Sequence, residues 1–144
     1  MTDIRRVTPD FAVAAQLSVE DVARAAAAGY RTLINNRPEG EVPDQPSEAE
    51  IGAEAARQGL RFVSIPFAGP PPPGAVAATA ELLEETPEAT LAYCRSGRRS
   101  ILAWAMAQAL RGAMRPEEII KAAAGAGYDL EGVREALEGL SPQP

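Results

Sequence analysis

The chain's single cysteine lies in the run Cys94-Arg95-Ser96-Gly97-Arg98-Arg99-Ser100, which places three of its fourteen basic residues within five positions. A thiolate is a strong nucleophile, and helix N-termini and neighbouring cations stabilise it. The run sits between an apolar segment, "ATLAYC" (89–94), and a helix-like one, "RSILAWAMAQALRG" (99–112). The turn between them leaves backbone N–H groups without helical partners, and with the positive helix end these form a cradle for an anion. Gly97 allows the chain to turn where a side chain would clash. Arg95, Arg98 and Arg99 supply charge and a two-pronged grip on an oxyanion. Positive charge at a helix start opposes the macrodipole, so an anion is expected there to offset it. Ser100 is a candidate either to donate a hydrogen bond to the sulfur or to cap the helix. Arg37, at the end of a neighbouring expected strand, either reaches the same mouth or pairs with Glu39 or Glu41. A lone cysteine more often packs as an inert small hydrophobe. The strand, glycine, arginines and helix together favour the functional reading.

Composition narrows the chemistry. With no histidine and one cysteine in 144 residues, an internal disulfide is ruled out and most familiar metal and acid–base sites are removed. No cluster of three or four ligands suggests a metal, and no cofactor is expected. Net charge is −6 and no long basic stripe is present, so nucleic acid is not an expected partner. The longest apolar run, 101–110, is half of the ~20 residues a bilayer span needs. The N-terminus lacks the apolar core of a signal peptide, and the expected location is cytoplasmic.

Segments must then position the cysteine. Apolar runs alternate with amphipathic ones, the pattern of a single α/β domain over 1–144 with a mostly parallel sheet. Strands are expected at 11–16, 31–36, 60–67 and 89–94. Helices are expected at 18–29, 47–59, 75–85 and 99–112. Ser18 with Asp21 and Ser47 with Glu50 have capping-box spacing, and Gly29 and Gly59 suit helix stops. The four prolines at 70–73 read as a rigid loop. Residues 115–140 suggest a C-terminal helical pair divided near Gly127, with Lys121 in reach of Glu117 and Glu118. Its exposed faces are candidates for a homo-oligomer contact. Trp104 and Met106 read as core.

The loop resembles the active-site loop shared in outline by rhodanese sulfurtransferases and cysteine-based phosphatases. Together with "INNRPEGE" (34–41), "GLRFVSIPF" (59–67) and "AAGAGYDLEGVREAL" (123–137), it is similar to the beta-lactamase-hydrolase-like, phosphatase-like domains, also catalogued as sulfur transferases. That resemblance implies a dual-specificity-phosphatase-like fold, with Cys94 as nucleophile and Arg99 as the anion-binding arginine. Related domains occur fused to metal-dependent hydrolase-like domains linked to persulfide oxidation, which implies sulfide handling.

Three departures from the phosphatase pattern stand out. Four residues separate Cys94 from Arg99, as in rhodanese loops, where such phosphatases have five. Ala68 and Gly69 stand where a phosphatase aspartate is expected, and Tyr93 replaces the histidine before the cysteine. A positioned acid typically supplies ~10²–10⁴-fold, whereas sulfite leaves thiosulfate without a proton. Glu39, Glu41 and Asp44 are possible substitute acids, although a solvated acidic loop is the preferred reading of that stretch. The leading expectation is therefore a sulfurtransferase that forms a Cys94 persulfide from thiosulfate or a related donor. An external thiol or cyanide would accept the sulfur, since no second cysteine exists to do so. Arg99, Arg95, Ser96, Gly97, Arg98, Ser100 and Arg37 would bind the small anionic substrate. The alternatives are a tyrosine- or dual-specificity-like phosphatase working through a phosphocysteine, and a non-catalytic anion-binding module.

Overall fold

A computed structural model describes residues 1–142. Its elements are β1 (Ile4–Thr8), β2 (Phe11–Ala14), α1 (Val19–Ala27), β3 (Thr32–Asn35), α2 (Glu48–Arg57) and β4 (Arg61–Ser64). They continue with α3 (Pro73–Glu85), β5 (Thr90–Tyr93), α4 (Arg98–Arg111), α5 (Pro116–Gly125) and α6 (Arg134–Leu140), with a 3₁₀ turn over Glu131–Val133. The sheet order is β1-β2-β5-β3-β4. Strands β2, β5, β3 and β4 are parallel, and β1 is antiparallel to β2. This is the mostly parallel α/β architecture that the alternating segments imply.

Side-chain alternation decides which helices cover which face. Ala12, Ala14, Leu33, Leu91 and Tyr93 point toward α1 and α2, where they pack with Val22, Ile51 and Ala55. Phe11, Val13, Ile34 and Ala92 point the other way, onto Ile101, Trp104, Ile119, Leu130 and Leu137 of the C-terminal half. Helix α4 is buried on most of its circumference. Its neighbours are α3, α5 and α6 as well as the sheet, which explains a sequence apolar on nearly all sides. Trp104 is fully buried and stacks on Phe11 with ring centroids 5.6 Å apart, worth about 0.5–1.5 kcal/mol beyond area burial.

Local signals set the helix ends. Both expected capping boxes form: Ser18 and Asp21 cap the start of α1, and Ser47 and Glu50 cap the start of α2. Gly29 and Gly59 follow those helices with φ of 103° and 77°, the left-handed conformation glycine adopts at little cost. Of the four prolines, Pro73 opens α3 and Pro72 is its N-cap, so the rigid stretch leads directly into a helix.

Two expectations need correction. The first strand is β1, not β2. Residues 4–8 read IRRVT, with Arg5 and Arg6 exposed, so they carry little apolar pattern. As an edge strand with a bulge between Arg6 and Thr8, β1 is one that natural sheets protect with charge. In the C-terminal pair, Glu118 turns back to Arg115 at 3.3 Å and not forward to Lys121, because the Arg115 backbone N–H also needs an acceptor at the start of α5.

Candidate active site

Strand β5 has β2 on one side and β3 on the other, so the chain after Tyr93 leaves the sheet between the carboxyl ends of two neighbours. Crevices at such ends are where open α/β sheets bind ligands. Cys94 is fully buried, and its backbone N–H donates to the Ala14 carbonyl at 3.3 Å. Helix α4 begins at Arg98, with Gly97 as its N-cap at φ 90°. The turn is therefore Arg95-Ser96-Gly97, and the Gly97 N–H donates to Cys94 Sγ at 3.1 Å. A backbone dipole thus faces the sulfur, as the cradle requires.

The arginines part company. Arg95 is exposed on the outside of the turn. Arg98 is also exposed, and its Nη1 donates to the Asp129 carbonyl at 3.1 Å. Arg99 turns inward. Its Nη1 and Nη2 each donate to a Glu41 carboxylate oxygen at 2.8 Å, and Nη1 also reaches the Phe67 carbonyl at 3.1 Å. Glu41 raises the Arg99 pKa first, and the nearby Cys94 charge adds to the rise. The terminal edge of the guanidinium is thus occupied, while no contact engages Nε among the described residues. Besides Glu41, the Cys94 side chain contributes to the rise in the Arg99 pKa, so the guanidinium lies within interaction range of the sulfur.

The Glu41 contact with Arg99 is what the sequence did not reveal, whereas the Arg37–Glu41 pairing is one of the two readings it offered. Glu41 lies in the stretch between β3 and α2, which reads as a solvated acidic loop. Instead it accepts from Arg37 Nε at 2.9 Å as well as from Arg99. Hydrogen bonding from Arg99 and Arg37 lowers its pKa to about 2. That removes Glu41 as a substitute general acid, since it holds no proton near neutral pH. It is also the anion that offsets the positive helix start. Arg37 is 4% exposed and donates in addition to Gln16 Oε1 at 3.1 Å. It therefore pairs with Glu41 and meets the cysteine loop through that pairing. Glu39 accepts from the Glu48 backbone N–H at 2.8 Å, and Asp44 is exposed.

Ser100 lies in the first turn of α4, beyond the capping position. Its buried Oγ has no protein hydrogen-bond partner, so neither the contact to sulfur nor the cap is made. Ser96 presents its carbonyl outward, where the Tyr128 hydroxyl donates to it at 3.1 Å. Tyr128 and Gln16 are further site neighbours that no spacing rule indicated. The buried Tyr93 phenol is raised in pKa by desolvation and packs on the α1–α2 side of the sheet. Among the described residues, no group of three or more His, Cys, Asp or Glu is placed to hold a metal, and no helix is long and apolar enough to cross a membrane.

Residues 3–111 match the family described as beta-lactamase hydrolase-like protein, phosphatase-like domain. The chain belongs to this family. It is 31% identical over 121 residues to a beta-lactamase hydrolase-like protein of Xylella fastidiosa, covering 83% of this chain and 28% of that relative. The chain thus spans under a third of the length of the curated relatives it matches. A solved structure of a putative phosphatase from Neisseria meningitidis is 32% identical, with a TM-score of 0.81 over 95% of this chain and 97% of that one. PTPMT1, 17% identical, superposes with a TM-score of 0.73 over 96% of this chain and 93% of its own. The fold is that of the dual-specificity and tyrosine phosphatases. These findings overturn the expected sulfurtransferase and its persulfide: both the family and its structural relatives are phosphatase-like. The physical reason the earlier inference failed lies in the loop. A four-residue spacing from Cys94 to Arg99 still leaves Arg99 in the first turn of α4, paired with Glu41, on a fold shared with phosphatase-like proteins, so spacing alone does not select sulfur chemistry.

Proposed function

We propose that the chain is a cysteine-dependent phosphatase acting on phosphate monoesters. The observation that supports this reading is a buried thiol that accepts from a loop N–H at a helix start, with the Arg99 guanidinium in electrostatic reach of it. The Gly97 N–H points at Cys94 Sγ, the start of α4 lies beside it, and Arg99 is held over the same turn by Glu41 and Phe67. Loop amides and the Nε–Nη2 edge of Arg99 bind the three non-bridging phosphoryl oxygens. Cys94 Sγ attacks phosphorus in line, an S–P bond forms, and the P–O bond to the leaving group breaks. Water then attacks phosphorus, the S–P bond breaks, and inorganic phosphate leaves with the thiolate restored. Positioned donors stabilise the charge that gathers on the phosphoryl oxygens in both steps. Arg95 and Arg98, exposed at the rim, attract the anionic substrate. Ser100, in the first turn of α4, keeps its buried hydroxyl uncommitted.

Among the described residues, the stretch 65–72 after β4 carries no carboxylate and Glu41 is held ionised. The leaving oxygen therefore takes its proton from water, and aryl esters of acidic phenols are the substrates expected to turn over fastest. The structural relative PTPMT1 has been solved in complex with PI(5)P, a phosphate ester, which supports an anionic phosphate substrate of this class. The test is hydrolysis of para-nitrophenyl phosphate by the wild-type chain and by Cys94→Ser. Phosphate release that disappears in the variant is expected. Release that survives Cys94→Ser, or phosphate binding with no turnover, would overturn the proposal, the latter in favour of an anion-binding module.

A further inference from the structure

Tyr128 stands outside residues 3–111, the part that matches the family, yet it touches the cysteine loop. It follows α5, and its hydroxyl donates to the Ser96 carbonyl at 3.1 Å. The same hydroxyl fills the space that a side chain on Gly97 would need. The Arg5 guanidinium of β1 lies over the ring, 5.6 Å from its centroid, and Arg5 Nη1 donates to the Ala126 carbonyl at 3.4 Å. Arg98 ties the neighbouring Asp129 carbonyl to the start of α4. Segment 126–129 is thus clasped to the loop from one side and to the edge strand from the other.

The Ser96 carbonyl and the Gly97 N–H belong to one peptide unit. In a trans peptide these two groups point in opposite directions. The phenol holds the oxygen end, and Cys94 Sγ accepts from the nitrogen end at 3.1 Å. The result is a continuous chain, Tyr128 O–H to Ser96 C=O, then Gly97 N–H to Cys94 Sγ. A donor on the carbonyl polarises the peptide and strengthens the bond made by its N–H. Burial raises the Tyr128 pKa, and the Cys94 charge raises it further against the pull of Arg5. The hydroxyl therefore stays a donor through the neutral range.

We propose that Tyr128 is a positioning residue for the anion site: through the Ser96–Gly97 peptide it aims the Gly97 N–H at Cys94 Sγ and at the oxyanion bound beside it. The inference rests on the phosphatase reading only in taking the loop to be an anion cradle. Without the phenol only the Gly97 N–H bond to Cys94 Sγ holds the peptide plane, and rotation would turn a carbonyl toward the anion. Gly97, at φ 90°, is the flexible end of that peptide, so an external hold is what keeps it in place. Arg5 acts one step further out by fixing the ring.

The experiment follows backbone amides by NMR while inorganic phosphate is titrated into wild type, Tyr128→Phe and Arg5→Gln, with aryl-phosphate kinetics run alongside. Tyr128→Phe keeps the ring and removes only the donor. Its expected effects are an upfield move of the Gly97 amide proton, a phosphate Kd raised about 5-fold and a KM raised in parallel with kcat nearly unchanged. Strand amides should remain in place, which separates this from a general loss of structure. Arg5→Gln, which leaves the hydroxyl intact, should show the same changes at smaller amplitude, and it serves as the test if Tyr128→Phe does not fold. An unmoved Gly97 amide or an unchanged phosphate Kd would overturn the positioning role. If phosphate binds the loop and Tyr128→Phe weakens it, but no ester is hydrolysed, the positioning role stands and the phosphatase reading falls. If wild-type loop amides ignore phosphate, both fall.

Discussion

Two arms reach the cysteine loop from opposite ends of the chain, and they hold it by different physics. The arm between β3 and α2 uses charge: Glu41 bridges Arg37 and Arg99 with its carboxylate oxygens at 2.8–2.9 Å. The arm after α5 uses a neutral phenol and a carbonyl, Tyr128 to Ser96. The charged arm fixes a side chain, and the neutral arm fixes a peptide plane. The first is sensitive to acid and weakened by salt where it is exposed. The second is indifferent to both until the phenol itself ionises. The proposed phosphate site would therefore keep part of its binding geometry when its ion pairs are disturbed.

The comparison can be broken at its shared centre first. Cys94→Ser is expected to lower aryl-phosphate turnover more than about 10³-fold, with both arms intact in the amide spectrum. Arg99→Lys removes the planar fork, so neither Glu41 nor the substrate can be held by two parallel bonds. A loss of about 10²–10³-fold in kcat/KM is expected from steady-state kinetics. Gly97→Ala strikes the neutral arm. It places a side chain at φ 90° and in the space of the Tyr128 hydroxyl, and left-handed backbone alone costs about 1–2 kcal/mol outside glycine. A lowered Tm together with a weakened phosphate Kd should result.

The charged arm is sharpened by Glu41→Gln, which keeps shape and removes charge. A fall in kcat/KM of about 10-fold is expected, smaller than for Arg99→Lys because the arginine itself remains. Its pH signature distinguishes the arms. The folded Glu41 pKa of about 2 lies below its ordinary 4.5. The stabilisation it brings is fully present above pH 4.5 and lost as pH falls toward 2. The Arg99 Nε–H resonance should move through that window in wild type and stay still in Glu41→Gln. Movement of equal size in the variant would show that another group controls Arg99.

Much of the fold was legible because it is written locally. Apolar runs at 11–14 and 91–93 mark strands buried on both faces, and the serine–acid pairs at 18/21 and 47/50 start the helices. Strand β1 was not legible, since an edge strand needs few apolar residues and its arginines resemble a polar lead-in. The centre of the site was equally local: cysteine, glycine and arginine sit within six residues at the end of a strand. The four-residue spacing, the missing aspartate in 65–74 and Tyr93 together argued for sulfur chemistry, and the match to a phosphatase-like family and fold overturned that argument.

The sequence by itself determined the alternation of strands and helices, the turn at Gly97 and the concentration of donors around Cys94, because each depends on residues within a few positions of one another. Only the tertiary structure decided which arginine faces the sulfur and what restrains the loop. Glu41 meets Arg99 across 58 positions and Tyr128 meets Ser96 across 32. Contacts at that range carry no periodic signal along the chain. They exist because parallel strands deliver their carboxyl ends to one edge of the sheet, and the segments that follow those strands, with the tail packed beside them, converge there.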